Sequence, residues 1–417
     1  MKKICLITLL AANLLFTYTQ KIEFINSGEL IEASKTLVKE AKYLEAIAQL
    51  EKISVNDTNY SAALLQKAVT YIAMQEWEKA IACSKTGLSN GSHLQPQFYF
   101  TLGTSYENNG QYEEALNIYD NALKEYPLDY MYHFNKAVVY AKMEEPLKTI
   151  ESCKKAIDLN YYHSASHYLM GLSYRDMGKY VPALISLQTF LFLDPSSDRA
   201  GSAISVLSDL ASGTVESAGN YKDQLSPDDH IYEQLELIIK SKVALNENYK
   251  TPVKKLSDPL VNQLYVLIEK LPASKDKDNF WVRNYNGFYQ EIYKQDYFEP
   301  FLYLIISSVE NKKIQKLVVK SISDIKKFQT WAYDKAYEIA GTRNMEFYGE
   351  HKEWNMIFYE NNRLMGLGTL KGKGDNAINT GYWRYYYRNA VISAEGSFND
   401  EGKKDGEWKY YYDDGGL

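Results

Sequence analysis

Small and aromatic positions along the first half of the chain return with one long, regular period. Small side chains stand at Ala46, Ala80, Ala115, Thr149 and Ala183, in steps of 34, 35, 34 and 34. Nine positions before each come Leu37, Tyr71, Tyr106, Tyr140 and Tyr174; three before come Tyr43, Trp77, Tyr112, Pro146 and Tyr180. Twelve before, Ser34, Ala68, Gly103, Ala137 and Gly171 are again small. A period of this length predicts units of two antiparallel helices, in which small residues allow close approach and aromatics fill the space between neighbours. Five copies are expected, over residues 27–60, 61–94, 96–129, 130–163 and 164–197. The first is degenerate, and the fourth departs at Pro146, Thr149 and Cys153. Pro146 can open a second helix, where its missing N–H costs nothing.

The apolar stripe Ala203, Ile204, Val206, Leu207 and Leu210 predicts a capping helix over 198–211, and residues 213–229 read as a linker. Residues 230–345 keep helical periodicity without a repeat, with Leu235, Ile238, Ile239 and Leu245 on one helix. Leu260, Leu264, Leu267 and Ile268 mark another, ended by Pro272. Segment 275–304 is dense in aromatics; a core accounts for most of them, with a docking face as the further expectation. Ile314, Leu317, Val318, Ile325 and Phe328 form an apolar stripe interleaved with Lys312, Lys313, Lys316, Lys320, Lys326 and Lys327. A solvated face of a packed helix is the favoured reading; an anionic membrane or an acidic partner is the alternative.

The period becomes two after Gly366: Trp383, Tyr385 and Tyr387 fall on one face of a strand and Arg384 and Tyr386 on the other. Gly381, Trp383, Tyr385, Tyr386 and Tyr387 return 25 residues later as Gly406, Trp408, Tyr410, Tyr411 and Tyr412. A weaker copy begins at Trp354. Turns are expected at Glu401-Gly402, Asp405-Gly406 and Asp414-Gly415.

The first half resembles the tetratricopeptide repeat, most fully at Leu102-Gly103, Tyr106, Gly110, Tyr112, Ala115, Tyr119, Ala122 and Pro127. The C-terminal pattern resembles the variant MORN repeat, whose hairpins imply a flat single-layer sheet with aromatics in rows. The expected fold is mainly α: a helical solenoid (residues 20–197), cap and linker (198–229), a helical middle domain (230–345) and a β-hairpin module (346–417). The tetratricopeptide resemblance implies a concave wall built by the first helix of each unit, at repeat positions 2, 5, 9 and 12. Position 5 reads Leu65, Phe100, Phe134 and Tyr168; position 9 reads Val69, Thr104, Val138 and Leu172. Gln97 and Met131 occupy position 2, and Glu107 and Arg175 position 12, where they are expected as a polar rim. Members of the family that clamp a C-terminal carboxylate use Asn and Lys, which positions 5 and 9 lack. An apolar or aromatic peptide or helix is therefore the expected occupant, unless the capping helix or segment 280–303 fills the wall.

The chain has 417 residues, 47 Lys plus Arg and 53 Asp plus Glu, for a formal charge of -6, which argues against a chain-wide nucleic-acid surface. Lys2 and Lys3 precede a 13-residue apolar run, Ile4 to Phe16. That run is shorter than the roughly 20 residues a bilayer span needs, so residues 1–19 read as a signal peptide. An exported protein, periplasmic or at the cell surface, is expected. No integral membrane segment is expected after cleavage, and envelope association is compatible with that address.

Candidate catalytic and metal motifs fail on spacing and surroundings. Gly368 to Gly374 has three residues between Gly368 and Gly372 rather than the four of a phosphate loop, and Gly374 where Ser or Thr should follow the lysine. His163 and His167 share a helical spacing, but His167 takes a packing position and no third ligand follows. Cys83 and Cys153 read as free thiols. No cofactor, metal or catalytic residue is expected. The functional expectation is a non-enzymatic scaffold binding a protein or peptide; the alternatives are an enzyme sited in 230–345 or an antitoxin-like neutraliser acting through the C-terminal repeats.

Overall fold

The computed structural model describes residues 26–214, 226–242, 245, 249–256, 258–360, 362–372 and 376–413. The expected signal segment and the Asp414-Gly415 turn lie outside the described residues. The chain divides into two compact units, residues 1–105 and 106–417. The first contains α1 (Ser27–Lys39), α2 (Tyr43–Leu50), α3 (Tyr60–Ala73), α4 (Trp77–Ser89) and most of α5 (Gln95–Asn108). Ile31, Leu50, Ile53 and Ala63 form a small core where the first hairpin meets the second.

The second unit continues with α6 (Tyr112–Glu125), α7 (Tyr130–Lys142), α8 (Pro146–Leu159), α9 (Ser164–Asp176), α10 (Tyr180–Leu193) and α11 (Ala200–Ser212). Pro146 does open α8. A methyl group on Gly171 would lie 2.7 Å from Leu187, so α9 and α10 approach as closely as they do only because that position is bare. Hairpin after hairpin uses one turn. Ala41, Gln75, Gly110, Glu144 and Gly178 all have φ between 58 and 75°, two residues before the second helix. The next residue's N–H then bonds the carbonyl five residues back: Lys42 to Leu37, Glu76 to Tyr71, Gln111 to Tyr106, Glu145 to Tyr140 and Lys179 to Tyr174.

The middle region is built from a 3-10 turn (Pro227–Tyr232), α12 (Glu233–Lys240), α13 (Pro259–Glu269), a π turn (Val282–Asn286), α14 (Gly287–Lys294), α15 (Phe298–Ile305), α16 (Lys312–Lys320) and α17 (Ile322–Ala340). It conceals one more hairpin of the same design. Asp296 has φ 55° two residues before α15, and the Tyr297 N–H bonds the Ile292 carbonyl at 2.9 Å. Where the repeats carry a small pair such as Gly171 and Ala183, this hairpin carries Tyr289 and Phe301, whose rings meet edge to face at 5.8 Å. Two large rings at the approach positions erase the small-residue signature, which is why periodicity alone did not reveal it.

Three expectations require correction. The end of the linker is not a linker: Asp229 is buried and hydrogen-bonded at the base of the middle region. The stripe from Ile314 to Phe328 is carried by two helices, broken at Ser321, rather than one. The sheet begins at Thr342, four residues before the expected boundary, because Arg343 faces inward and hides the alternation a strand should show.

The sheet is a six-stranded antiparallel meander in sequential order: β1 (Thr342–Phe347), β2 (Glu350–Phe358), β3 (Leu364–Lys371), β4 (Ile378–Tyr386), β5 (Ile392–Phe398) and β6 (Lys404–Tyr410). Trp383 lies flat across Gly368 and Trp408 across Gly396, where an added methyl group would come within 2.2 and 2.5 Å of the rings. Each indole N–H donates to the next carbonyl on the strand it crosses, Trp383 to Thr369 (3.1 Å) and Trp408 to Ser397 (3.0 Å). Trp383 pairs with Gly396 across β4 and β5, so the two indoles share a face, with Tyr385 between them. Trp354 does not join them. Asn355 pairs with Gly368, which puts Asn355 on the Trp383 face and Trp354 on the other, against Phe347.

Candidate partner-binding wall

The expected wall residues fall on both compact units, and each set stands by itself. In the first unit, Phe100 is 39% exposed, Gln97 and Thr104 are half-buried, and the Gln97 Oε1 is buried without a hydrogen-bond partner. In the second unit, Met131, Phe134, Val138, Tyr168, Leu172 and Arg175 are all half-buried. Phe134 meets His163 edge to face at 4.5 Å. Tyr168 donates to the Ser202 hydroxyl of α11 at 3.2 Å, with the Arg199 guanidinium over its ring. Ser202 follows Tyr168 by 34 residues, so α11 acts as the first helix of a further unit and extends the wall.

The polar rim differs from expectation. Glu107 is only 8% exposed and forms a 2.8 Å ion pair with Lys142 within the second unit, so it is a buried ion-pair partner and not a rim residue. Arg175 is turned toward its neighbour Asp176, with the Nε donating at 2.8 Å.

The aromatic segment docks elsewhere. Trp281 packs on Tyr174, Tyr285 on His167 and Tyr161, and Phe288 on Phe192. Tyr289 exchanges a 2.8 Å hydrogen bond with Thr189. These partners stand at repeat positions other than 5 and 9. Two carboxylates anchor the contact. One oxygen of buried Asp229 accepts from Lys154 (2.9 Å), Tyr174 (2.8 Å) and the Trp281 indole (2.7 Å). Burial, then the Asp229 charge, holds the Tyr174 hydroxyl well above its ordinary pKa, so Tyr174 acts only as a donor here. Asp158 takes both Nη2 and Nε of Arg283 and the Asn284 amide, and its carbonyl accepts from Arg343. Burial lowers Arg343 to about 10, with Asp158 opposing. Lys154 and Asp229 are 75 residues apart, and no local signal links them.

Both ring nitrogens of His167 are engaged, by the Tyr161 carbonyl and the Tyr285 hydroxyl at 2.8 Å each, which leaves no lone pair for a metal. Cys83 and Cys153 are free thiols; burial pushes Cys153 far up, which suppresses thiolate chemistry there. Gly368 to Lys371 lies in β3, not in a loop opening a helix.

Hairpins with this turn, these small contacts and this period make a tetratricopeptide-like helical solenoid, which a C-terminal antiparallel sheet follows. Residues 100–160 match the tetratricopeptide repeat family. A stretch of 99 residues is 31% identical to the Hsp70-Hsp90 organising protein of Plasmodium falciparum (isolate 3D7), covering 22% of this chain and 18% of that protein. The chain thus spans less than a fifth of that relative's length. Similar solved structures include a thermophilic TPR protein of Thermus thermophilus, at 21% identity and a TM-score of 0.37 over 43% of this chain and 98% of that one. MamA from Desulfovibrio magneticus RS-1 is 19% identical, with a TM-score of 0.35 over 42% and 98%. No helix among the described residues is long and apolar enough to cross a membrane.

Proposed function

We propose that this protein is an exported, non-enzymatic scaffold that holds an apolar or aromatic peptide or helix on the wall of its second unit. The carrying observation is that Phe134, Val138, Tyr168 and Leu172 keep accessible surface while the chain's own aromatic segment is spent on other repeat positions. An amphipathic helix presents apolar residues at a spacing that suits such a row. The sheet, read as variant MORN hairpins, is an accessory module held by the packing of Leu128 on its core and by the bond of Arg343 to the Asp158 carbonyl. Export rests on the Lys-Lys start and its apolar run; N-terminal sequencing from the native cell should find a chain starting near Gln20, and an intact Met1 would refute it.

The binding test is affinity capture with mass spectrometry on the mature protein. Phe134→Ala with Leu172→Ala should abolish capture of a defined protein while circular dichroism stays unchanged, because partly exposed wall residues carry little stability. Phe100→Ala, made separately, tests the first unit. A folded double variant that captures the same partner at equal yield removes the wall from consideration, and turnover of a small molecule would favour an enzyme.

A further inference from the structure

The surface of α16 and α17 is chemically unlike the rest of this acidic chain. Residues 312–327 hold six lysines against one aspartate, a local charge of +5 on a protein of formal charge -6. On α16, Lys312, Lys313, Lys316 and Lys320 fall within an arc of about 100°. Ile314, Leu317 and Val318 occupy the opposite side and pack on the core. All six lysines are exposed, and only Lys327 makes an ion pair among the described residues, with Asp324 at 3.5 Å.

Apolar and aromatic side chains stand exposed beside them. Val319 is 70% exposed at the end of α16, and Ile322 is 49% exposed at the start of α17. From Ile322 a partly exposed stripe runs along the flank of α17 through Lys326 and Tyr337, which is 55% exposed, while the neighbouring Tyr333, 44% exposed, packs its ring on Phe192. Asp324, Asp334 and Glu338 fall off this stripe at helical spacing.

We propose that α16 and α17 form a docking face for an anionic phospholipid surface. Lysine is a point charge without arginine's directional fork, which suits a fluid field of phosphates better than a fixed carboxylate on a protein. Exposed Val, Ile and Tyr among lysines are the side chains that settle at a headgroup boundary. The negative charge elsewhere repels the same bilayer, so the protein would approach by this face alone. The proposal does not depend on the wall above.

The test is sedimentation of the full chain with vesicles of phosphatidylglycerol in phosphatidylcholine, against phosphatidylcholine alone. Binding should appear only with the anionic lipid and weaken as salt rises. Lys312→Gln, Lys316→Gln and Lys320→Gln together should lower partitioning about 100-fold. Val319→Asp should further remove whatever binding survives high salt, and Phe134→Ala should leave binding unchanged. The substituted side chains are exposed, and circular dichroism controls for folding. Equal binding to both vesicle types, no binding to either, or an unaffected triple variant would overturn the proposal. So would an acidic protein that engages these lysines while vesicles do not.

Discussion

His167 and Tyr285, 118 residues apart, share a 2.8 Å hydrogen bond inside the second unit. The other nitrogen of His167 faces the Tyr161 carbonyl, which can only accept. His167 therefore carries its proton on Nε2 and receives the Tyr285 hydroxyl at Nδ1. Tyr285→Phe leaves that nitrogen buried and unpaired, and should cost about 1–3 kcal/mol in urea unfolding.

The same histidine makes stability depend on pH. Burial lowers His133 and His163 to about 4 and His167 to about 3, with Lys155 and Lys136 adding to the shift at His133. Folded values below the ordinary 6.5 mean that protonation favours the unfolded chain. Their contribution is complete above 6.5 and is lost as pH falls through 4 toward 3. Urea midpoints should drop across that interval, and less steeply in His167→Gln; identical slopes in the two proteins would contradict the assignment.

Asp229→Ala leaves the buried Lys154 ammonium only the longer 3.7 Å ion pair with Asp228 and should destabilise the second unit by about 3 kcal/mol. Lys154→Met combined with Asp229→Asn should cost less than the separate losses summed, which a double-mutant cycle would read.

In the sheet, Trp383 is fully buried whereas Trp408 is half-buried on the last described strand. Trp383→Ala should cost about 3–5 kcal/mol and Trp408→Ala distinctly less. Gly368→Ala should be destabilising as well, since the new methyl group meets the Trp383 ring. Chemical denaturation followed by tryptophan fluorescence would rank the three.

Ala390 and Gly402 occupy equivalent turns. Tyr387 and Asn399 each bond the residue four ahead, and φ is 68° at Ala390 and 78° at Gly402. An alanine in the left-handed region is strained by about 1 kcal/mol, so Ala390→Gly should stabilise and raise the urea midpoint.

The repeat hairpins were legible because their contacts are local and recur. Gly171 against Leu187, and the shared turn at Gly178, are met within one unit, so each copy repeats the same constraint. The C-terminal strands were legible for a similar reason, since Trp383 and Trp408 repeat with their turns. Trp354 shows where that reading stops: the β2–β3 register pairs Asn355, not Trp354, with Gly368, and a strand register decides which face a side chain takes.

By itself, the sequence determined the helical hairpins, their period and the meander of strands, because each depends on neighbours within about 35 residues. Only the tertiary structure decided that Glu107 is buried against Lys142, that Asp229 belongs to the core, and that segment 280–289 grips the hairpins beside the wall. The physical reason is desolvation. A carboxylate, a histidine or a tyrosine hydroxyl can be buried only if a partner meets it, and here those partners stand as far as 118 residues away along the chain.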